Sequence, residues 1–193
     1  MEKYVLASAS PRRKEILQLM NLDFKVIKSD ADESSIDTSM DPSLYVQELA
    51  LLKGADVAKG LKNEIVISAD TIVYHEGKIL GKPRDEEDAF NMIRSLSGKE
   101  HMVYTGVCIM RASDAFTVCE TCATKVKFKE LTDKKIRSYI ATGEPMDKAG
   151  AYAVQGLAAT FIEKIDGDYF NVVGLPIETT AHILENDFNI DLF

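Results

Sequence analysis

No run of about 18 apolar residues occurs in the 193-residue chain, so no membrane-spanning helix is expected. Positive charge is not in excess either: the formal net charge is −8, which leaves no global basic footprint for nucleic acid. Cysteine is scarce, and three residues, an odd number, argue against a disulfide scaffold. Cys119-Glu120-Thr121-Cys122 has C-x-x-C spacing, but it lies in Phe116–Phe128, an alternating stretch that reads as a strand. Alternation sends Cys119 and Cys122 to opposite faces, so the spacing is read as coincidence and not as a redox pair or half of a zinc site. His75, His101 and His182 are scattered without ligand spacing. The G-x-x-x-x-G-K-[ST], G-x-G-x-x-G and G-x-S-x-G signatures are all missing, which removes the common NTPase, dinucleotide and serine-hydrolase fingerprints. There is no repeat, low-complexity tract or linker, so residues 1–193 are expected to form a single domain. Met1-Glu2-Lys3-Tyr4 runs straight toward a strand without the regions of a signal peptide, and the cytoplasm is the expected location.

What is present concentrates near the start of the chain. Tyr4, Val5 and Leu6 read as the end of a buried strand, and Ser8-Ala9 as a tight connection. Ser10 is a good N-cap and Pro11 a good first helical residue. Arg12, Arg13 and Lys14 then place three cations on the first helical turn. That end already carries partial positive charge, and each exposed cation there costs about 0.3–1 kcal/mol. The arrangement makes sense if an anion binds, because arginines and helix amides then converge on it. In an acidic protein this local cluster suits a small anionic ligand better than a polyanion.

Further along, Asp41-Pro42 opens a helix expected to reach about Lys62. Lys53 falls within its apolar stripe of Val46, Leu49, Ala50 and Val57, where it must snorkel or meet an anion. Glu64–Ala69 reads as a buried strand ending at Asp70-Thr71, with Ile72-Val73-Tyr74 continuing extended. A carboxylate at a strand end is a common place for a catalytic group, and this reading is preferred for Asp70 over a simple turn cap. The loop Ser29–Met40 carries Asp30, Asp32, Glu33 and Asp37, for most of which plain solvation suffices. Lys82 adds a cation in the loop Gly81–Arg84. Strands and helices alternate without a strict βαβ rhythm, so the expected fold is α/β, a mixed sheet flanked by helices. Carboxylates, Arg and Lys, together with a divalent cation, form the set needed to break a phosphoanhydride.

These residues resemble the Maf family of nucleoside triphosphate pyrophosphatases along nearly the whole chain. Six ordered blocks carry the resemblance: LASASPRRKEIL (Leu6–Leu17), SADTIV (Ser68–Val73), GKPRD (Gly81–Asp85), LSGKEHMVYTG (Leu96–Gly106), EPMDKAGAYAVQG (Glu144–Gly156) and DYFNVVGLP (Asp168–Pro176). The resemblance implies a twisted mixed sheet with two lobes around a cleft, similar to the inosine triphosphate pyrophosphatases. The implied reaction cleaves a nucleoside triphosphate to the monophosphate and pyrophosphate with a divalent cation, Mg²⁺ or Mn²⁺. Asp70 matches the group that activates water, and Glu33 an acidic position associated with the metal. Ser8, Arg13, Lys53 and Lys82 match the phosphate site. Arg12, Thr71 and Gln155 look like the set of the branch acting on dTTP and UTP; a Gln can meet a pyrimidine edge as donor and acceptor together. Housekeeping removal of non-standard pyrimidine nucleotides is the implied role. The alternative is a nucleotide-binding regulator of septum formation without significant turnover. No nucleic-acid or membrane partner is expected, and the sequence leaves a homodimer open.

Overall fold

β1 (Tyr4–Leu6) and α1 (Pro11–Gln18) form as the sequence dictates. Ser10 stays extended and its hydroxyl accepts the Arg13 N–H, while Pro11, with no N–H to leave unpaired, takes the first helical position. The computed structural model describes residues 3–192, so the first two residues of the expected run into β1 lie outside the described residues. β2 (Phe24–Val26) follows, then the acidic loop. α2 (Pro42–Ala58) is capped by the Asp41 carboxylate and ends four residues short of the expected Lys62. β3 (Ile65–His75) turns through Glu76 and Gly77, both at positive φ, into β4 (Lys78–Leu80). α3 (Glu86–Leu96) leads to the hairpin of β5 (Glu100–Arg111) and β6 (Thr117–Phe128). α4 (Asp133–Ile140), β7 (Ile162–Asp166), α5 (Tyr169–Val173) and α6 (Ile177–Asn186) complete the described elements.

The seven strands form one mixed sheet in the order β2-β1-β3-β5-β6-β7, with β4 also paired to β3. β1 runs parallel to β2 and β3, and the remaining pairs are antiparallel. This is the expected mixed sheet flanked by helices. Leu6, Ile67, Val107 and Ile109 are fully buried beside Leu17, Leu175, Ile183 and Leu184. A second cluster gathers Ile93, Leu96, Val126, Phe128 and Ile136. Burying each such side chain contributes about 1.5–3 kcal/mol before ordering costs. Among the described residues no helix is long and apolar enough to cross a membrane.

Two expectations are corrected. Ile72-Val73-Tyr74 is extended as expected, but the strand does not end at Asp70-Thr71 before it: these two pair with Gly106 and Thr105 of β5, so β3 runs through them unbroken. The cysteines do form a disulfide: the hairpin register sets Cys108 opposite Cys119, Cα atoms 4.1 Å apart, and the two are bonded. The odd count settled nothing, because the third cysteine, Cys122, simply stays free. The C-x-x-C pair itself remains unjoined, since Cys119 and Cys122 project to opposite faces of β6.

Candidate active site

A cleft of about 520 Å³ opens where one edge of β3 is bare. β1 pairs with β3 only at Ile65–Ile67 and β4 only at Val73–His75, so neither strand covers residues 68–72 on that side. Alternation within the bare stretch then splits the site between the two sheet faces. Ser68 and Asp70 face α2, whereas Thr71 faces α1 and α5.

On the first face, α2 approaches the sheet as closely as glycine allows. A Cβ on Gly54 would lie 2.6 Å from Ser68 Oγ, and one on Gly106 would lie 2.7 Å from the Gln47 nitrogen. The Ser68 hydroxyl donates to the Ala50 carbonyl at 2.7 Å and locks the approach. Lys53, next to Gly54, is thereby delivered to Asp70. Its Nζ donates to Asp70 Oδ1 at 2.5 Å and lies 3.1 Å from Glu33 Oε1. The Lys53 and Asp70 side chains are only 15 % and 14 % exposed, so this contact is largely shielded from solvent. Of the two fates open to Lys53 from its spacing, it meets anions, and both belong to the protein. Glu33 stands on a 3-10 turn whose cap is Asp32, which accepts the N–H and O–H of Ser34. Tyr45 of α2 lines the same wall; burial and the charges of Asp70 and Glu33 push its hydroxyl above its ordinary pKa.

On the second face Arg13 is the organiser. Its Nε donates to the Gly174 carbonyl at 2.7 Å, and its two terminal nitrogens donate to Ser8 Oγ at 3.3 Å and Thr71 Oγ1 at 3.0 Å. From Thr71 the hydrogen bonds continue to Thr105 Oγ1 at 2.9 Å and on to the Asn171 carbonyl at 3.0 Å. The Asn171 side chain in turn donates to Val103 O and Thr124 Oγ1. Burial lowers the Arg13 pKa from its ordinary value, and the Asp70 carboxylate opposes that shift. The anion expectation at the start of α1 is refined here. Pro11 brings no N–H and the Arg13 N–H is spent on Ser10, so of the first three helical positions only Arg12 keeps an amide for a ligand, and side chains must supply most of the contact. Ser8 accepts from both Ser10 N–H and Arg13, which leaves its own hydroxyl proton to donate.

Arg12 and Lys82 line the cleft with no hydrogen bond or ion pair among the described residues, so both are available to an anion. Gln155 is exposed at the rim. Arg12 and Gln155 also line an adjoining hollow of about 460 Å³, which Thr71 does not reach. The cleft thus gathers all nine positions singled out from the sequence: Ser8, Arg12, Arg13, Glu33, Lys53, Asp70, Thr71, Lys82 and Gln155. Sequence reading missed Lys148, whose Nζ donates to Asp147 Oδ1 at 2.6 Å and to the Glu144 carbonyl at 2.7 Å. It also missed Tyr45 and the buried Thr105. A cation in a turn-rich segment was the only available signal for Lys148, and the other two gave none.

Among the described residues no three His, Cys, Asp or Glu groups cluster as a self-sufficient metal site. What the cleft offers is two carboxylates, Asp70 and Glu33, facing a single cationic point now held by the Lys53 ammonium. Two hard oxygen donors suit Mg²⁺ or Mn²⁺, ions commonly held by one or two carboxylates with substrate phosphates and water completing the shell.

A family model described as Maf-like protein matches residues 3–187. A protein of Thermoanaerobacter sp. (strain X514) named dTTP/UTP pyrophosphatase is 52 % identical over 191 residues, covering 98 % of this chain and 99 % of the relative. Proteins with the same name from Alkaliphilus metalliredigens (50 % over 193 residues, the full length of both) and Clostridium perfringens (strain SM101 / Type A; 49 % over 185 residues, 95 % and 96 %) are similarly close. Among solved structures, a HAM1 protein from Coxiella burnetii shares the fold with a TM-score of 0.52 at 14 % identity, covering 95 % of this chain and 98 % of that one.

Proposed function

Since this chain belongs to the Maf family, we propose that it is a cytoplasmic nucleoside triphosphate pyrophosphatase acting on dTTP and UTP. The observation that carries the reading is the shielded Asp70–Lys53 contact, with the more exposed Glu33 beside it, inside a cleft lined by further cations. The names of its relatives support the substrate class.

In this reading the triphosphate lies along the bare edge of β3. Asp70 accepts a proton from water as the water oxygen bonds to the α-phosphorus. The bond from that phosphorus to the oxygen bridging the α- and β-phosphates breaks, and that oxygen leaves with pyrophosphate. Lys53, Lys82 and Arg12 stabilise charge on the phosphate oxygens, and such preorganised groups contribute about 3–4 kcal/mol each where they act mainly on the transition state. Arg13 is tied into the framework by three hydrogen bonds, so it acts as a fixed positive wall rather than a mobile arm. Ser8 donates its free hydroxyl proton. Glu33 and Asp70 would hold a divalent cation, which when bound supplies Lewis-acid neutralisation of phosphate charge. Gln155, at the rim, reads the pyrimidine edge with Arg12 beside it.

The deciding experiment mixes purified protein and Mg²⁺ with dTTP, UTP, CTP, GTP and 7-methyl-GTP and measures pyrophosphate. Release from dTTP and UTP is expected. Release mainly from 7-methyl-GTP would overturn the substrate assignment, and tight binding without release would favour a nucleotide-binding regulator.

A further inference from the structure

Glu144 lies outside the phosphate site, yet its carboxylate is fully engaged. It accepts the Leu157 N–H at 3.0 Å, the Ala158 N–H at 3.5 Å and the Tyr139 hydroxyl at 3.1 Å. Leu157 and Ala158 open a 3-10 helix, Leu157–Phe161, whose cap residue, Gly156, has no side chain to satisfy these amides. Glu144 therefore caps a helix start thirteen residues downstream. The fit is close enough to dictate the neighbour: a Cβ on Gly156 would run into the Glu144 carboxylate. Burial and the Glu144 charge push the Tyr139 hydroxyl up, so it stays a donor. The main chain of Glu144 works too, accepting Lys148 Nζ at 2.7 Å. One residue thus holds both Lys148 and the backbone just after Gly156, and the residue before Gly156 is Gln155, at the rim of both hollows.

We propose that Glu144 is a positioning residue for substrate choice: it holds Gln155 in register with the base and Lys148 against the cleft. This rests on the pyrimidine nucleotide reading above and adds to it a residue that lines the adjoining hollow beside Gln155 and acts through it.

The test is steady-state kinetics with dTTP and CTP on the full-length protein, comparing wild type, Glu144→Gln, Gln155→Ala and the double variant. Glu144→Gln turns one acceptor oxygen into a donor facing N–H groups, so the clamp opens while the volume is kept. The expected result is a KM for dTTP raised about tenfold, with kcat changed far less, and a dTTP-over-CTP preference reduced by a similar factor. In the Gln155→Ala background the same change should cost at most about twofold, because the group being positioned is gone. Gly156→Ala presses on the clamp from the other side and should reproduce the KM effect if Glu144→Gln fails to fold. Equal losses in kcat for both substrates, or full additivity with Gln155→Ala, would overturn the proposal and leave Glu144 a purely structural cap. If wild type hydrolyses no nucleotide, it is the functional reading that fails, and the two failures are told apart by that single control.

Discussion

Replacing Asp70 by Asn separates chemistry from folding. The Asn side chain keeps the shape and an oxygen able to accept from Lys53, so the 2.5 Å contact loses its charge assistance but not its hydrogen bond. With both side chains about one-sixth exposed, the pair sits between surface ion pairs, worth about 0–1 kcal/mol, and buried ones, where removing a partner costs about 3–5 kcal/mol. Keeping the hydrogen bond places the loss near 1–2 kcal/mol, or roughly 2–8 °C in Tm for a chain of this size. Turnover should fall far more. Loss of a positioned general base costs about 10²–10⁴-fold, and about 10³-fold corresponds to ~4 kcal/mol of barrier. The assay is pyrophosphate release from dTTP at saturating Mg²⁺, with thermal melting on the same sample. A folded Asp70→Asn protein within tenfold of wild-type kcat would refute the assignment of Asp70 as the group that activates water. In wild type, a chelator should abolish release while leaving Tm within about 1 °C, because two carboxylates alone make a weak site without phosphate.

Two further outcomes follow from the framework. His101 is 3 % exposed, hydrogen-bonded to the Tyr152 hydroxyl, and its pKa is lowered to about 3, chiefly by burial. The unfolded chain takes up this proton near pH 6.5 and the folded one does not, so stability is full above that pH and is lost as pH falls toward 3. Denaturant unfolding at pH 7.5 and 4.5 should show an acid loss about 2–3 kcal/mol larger for wild type than for His101→Gln, and equal losses would refute it. The Cys108–Cys119 bond predicts one free thiol, Cys122, when protein purified without reductant is titrated in denaturant; three thiols would refute the bond. Cys119→Ser should then cost about 3 kcal/mol, the value for closing a loop of this sequence separation in the unfolded chain.

How much of this was legible in the sequence depended on whether the signal was local. Ser10-Pro11 and Asp41-Pro42 are self-contained capping signals, and both mark true helix starts. Lys53 showed as an anomaly because helical periodicity exposes a cation on an apolar stripe, though its partners could be found only after folding. The place of Asp70 in mid-strand was hidden: a Ser-Ala-Asp-Thr stretch looks like a strand end, and only pairing with β5 carries the strand through it. The cysteine pair was hidden for a related reason. Its geometry depends on the register of the whole β5–β6 hairpin, which residue counting ignores. Glu144 gave no local sign at all, since its partners lie 13 and 14 positions away and are backbone amides, whose availability no side-chain pattern reveals.

The division of the cleft between the two faces of β3 sets what kinds of genetic change the gene can tolerate. Asp70 and Thr71 are consecutive, and the pleat alone decides that one meets Lys53 and the other Arg13. Point substitutions along β3 alter one wall at a time and can be compensated locally. Inserting or deleting a single codon between Ile65 and Asp70 would instead turn the strand over, presenting the carboxylate to the arginine network and the hydroxyl to the lysine. Length along this strand should therefore be held fixed in lineages whose surface loops drift freely.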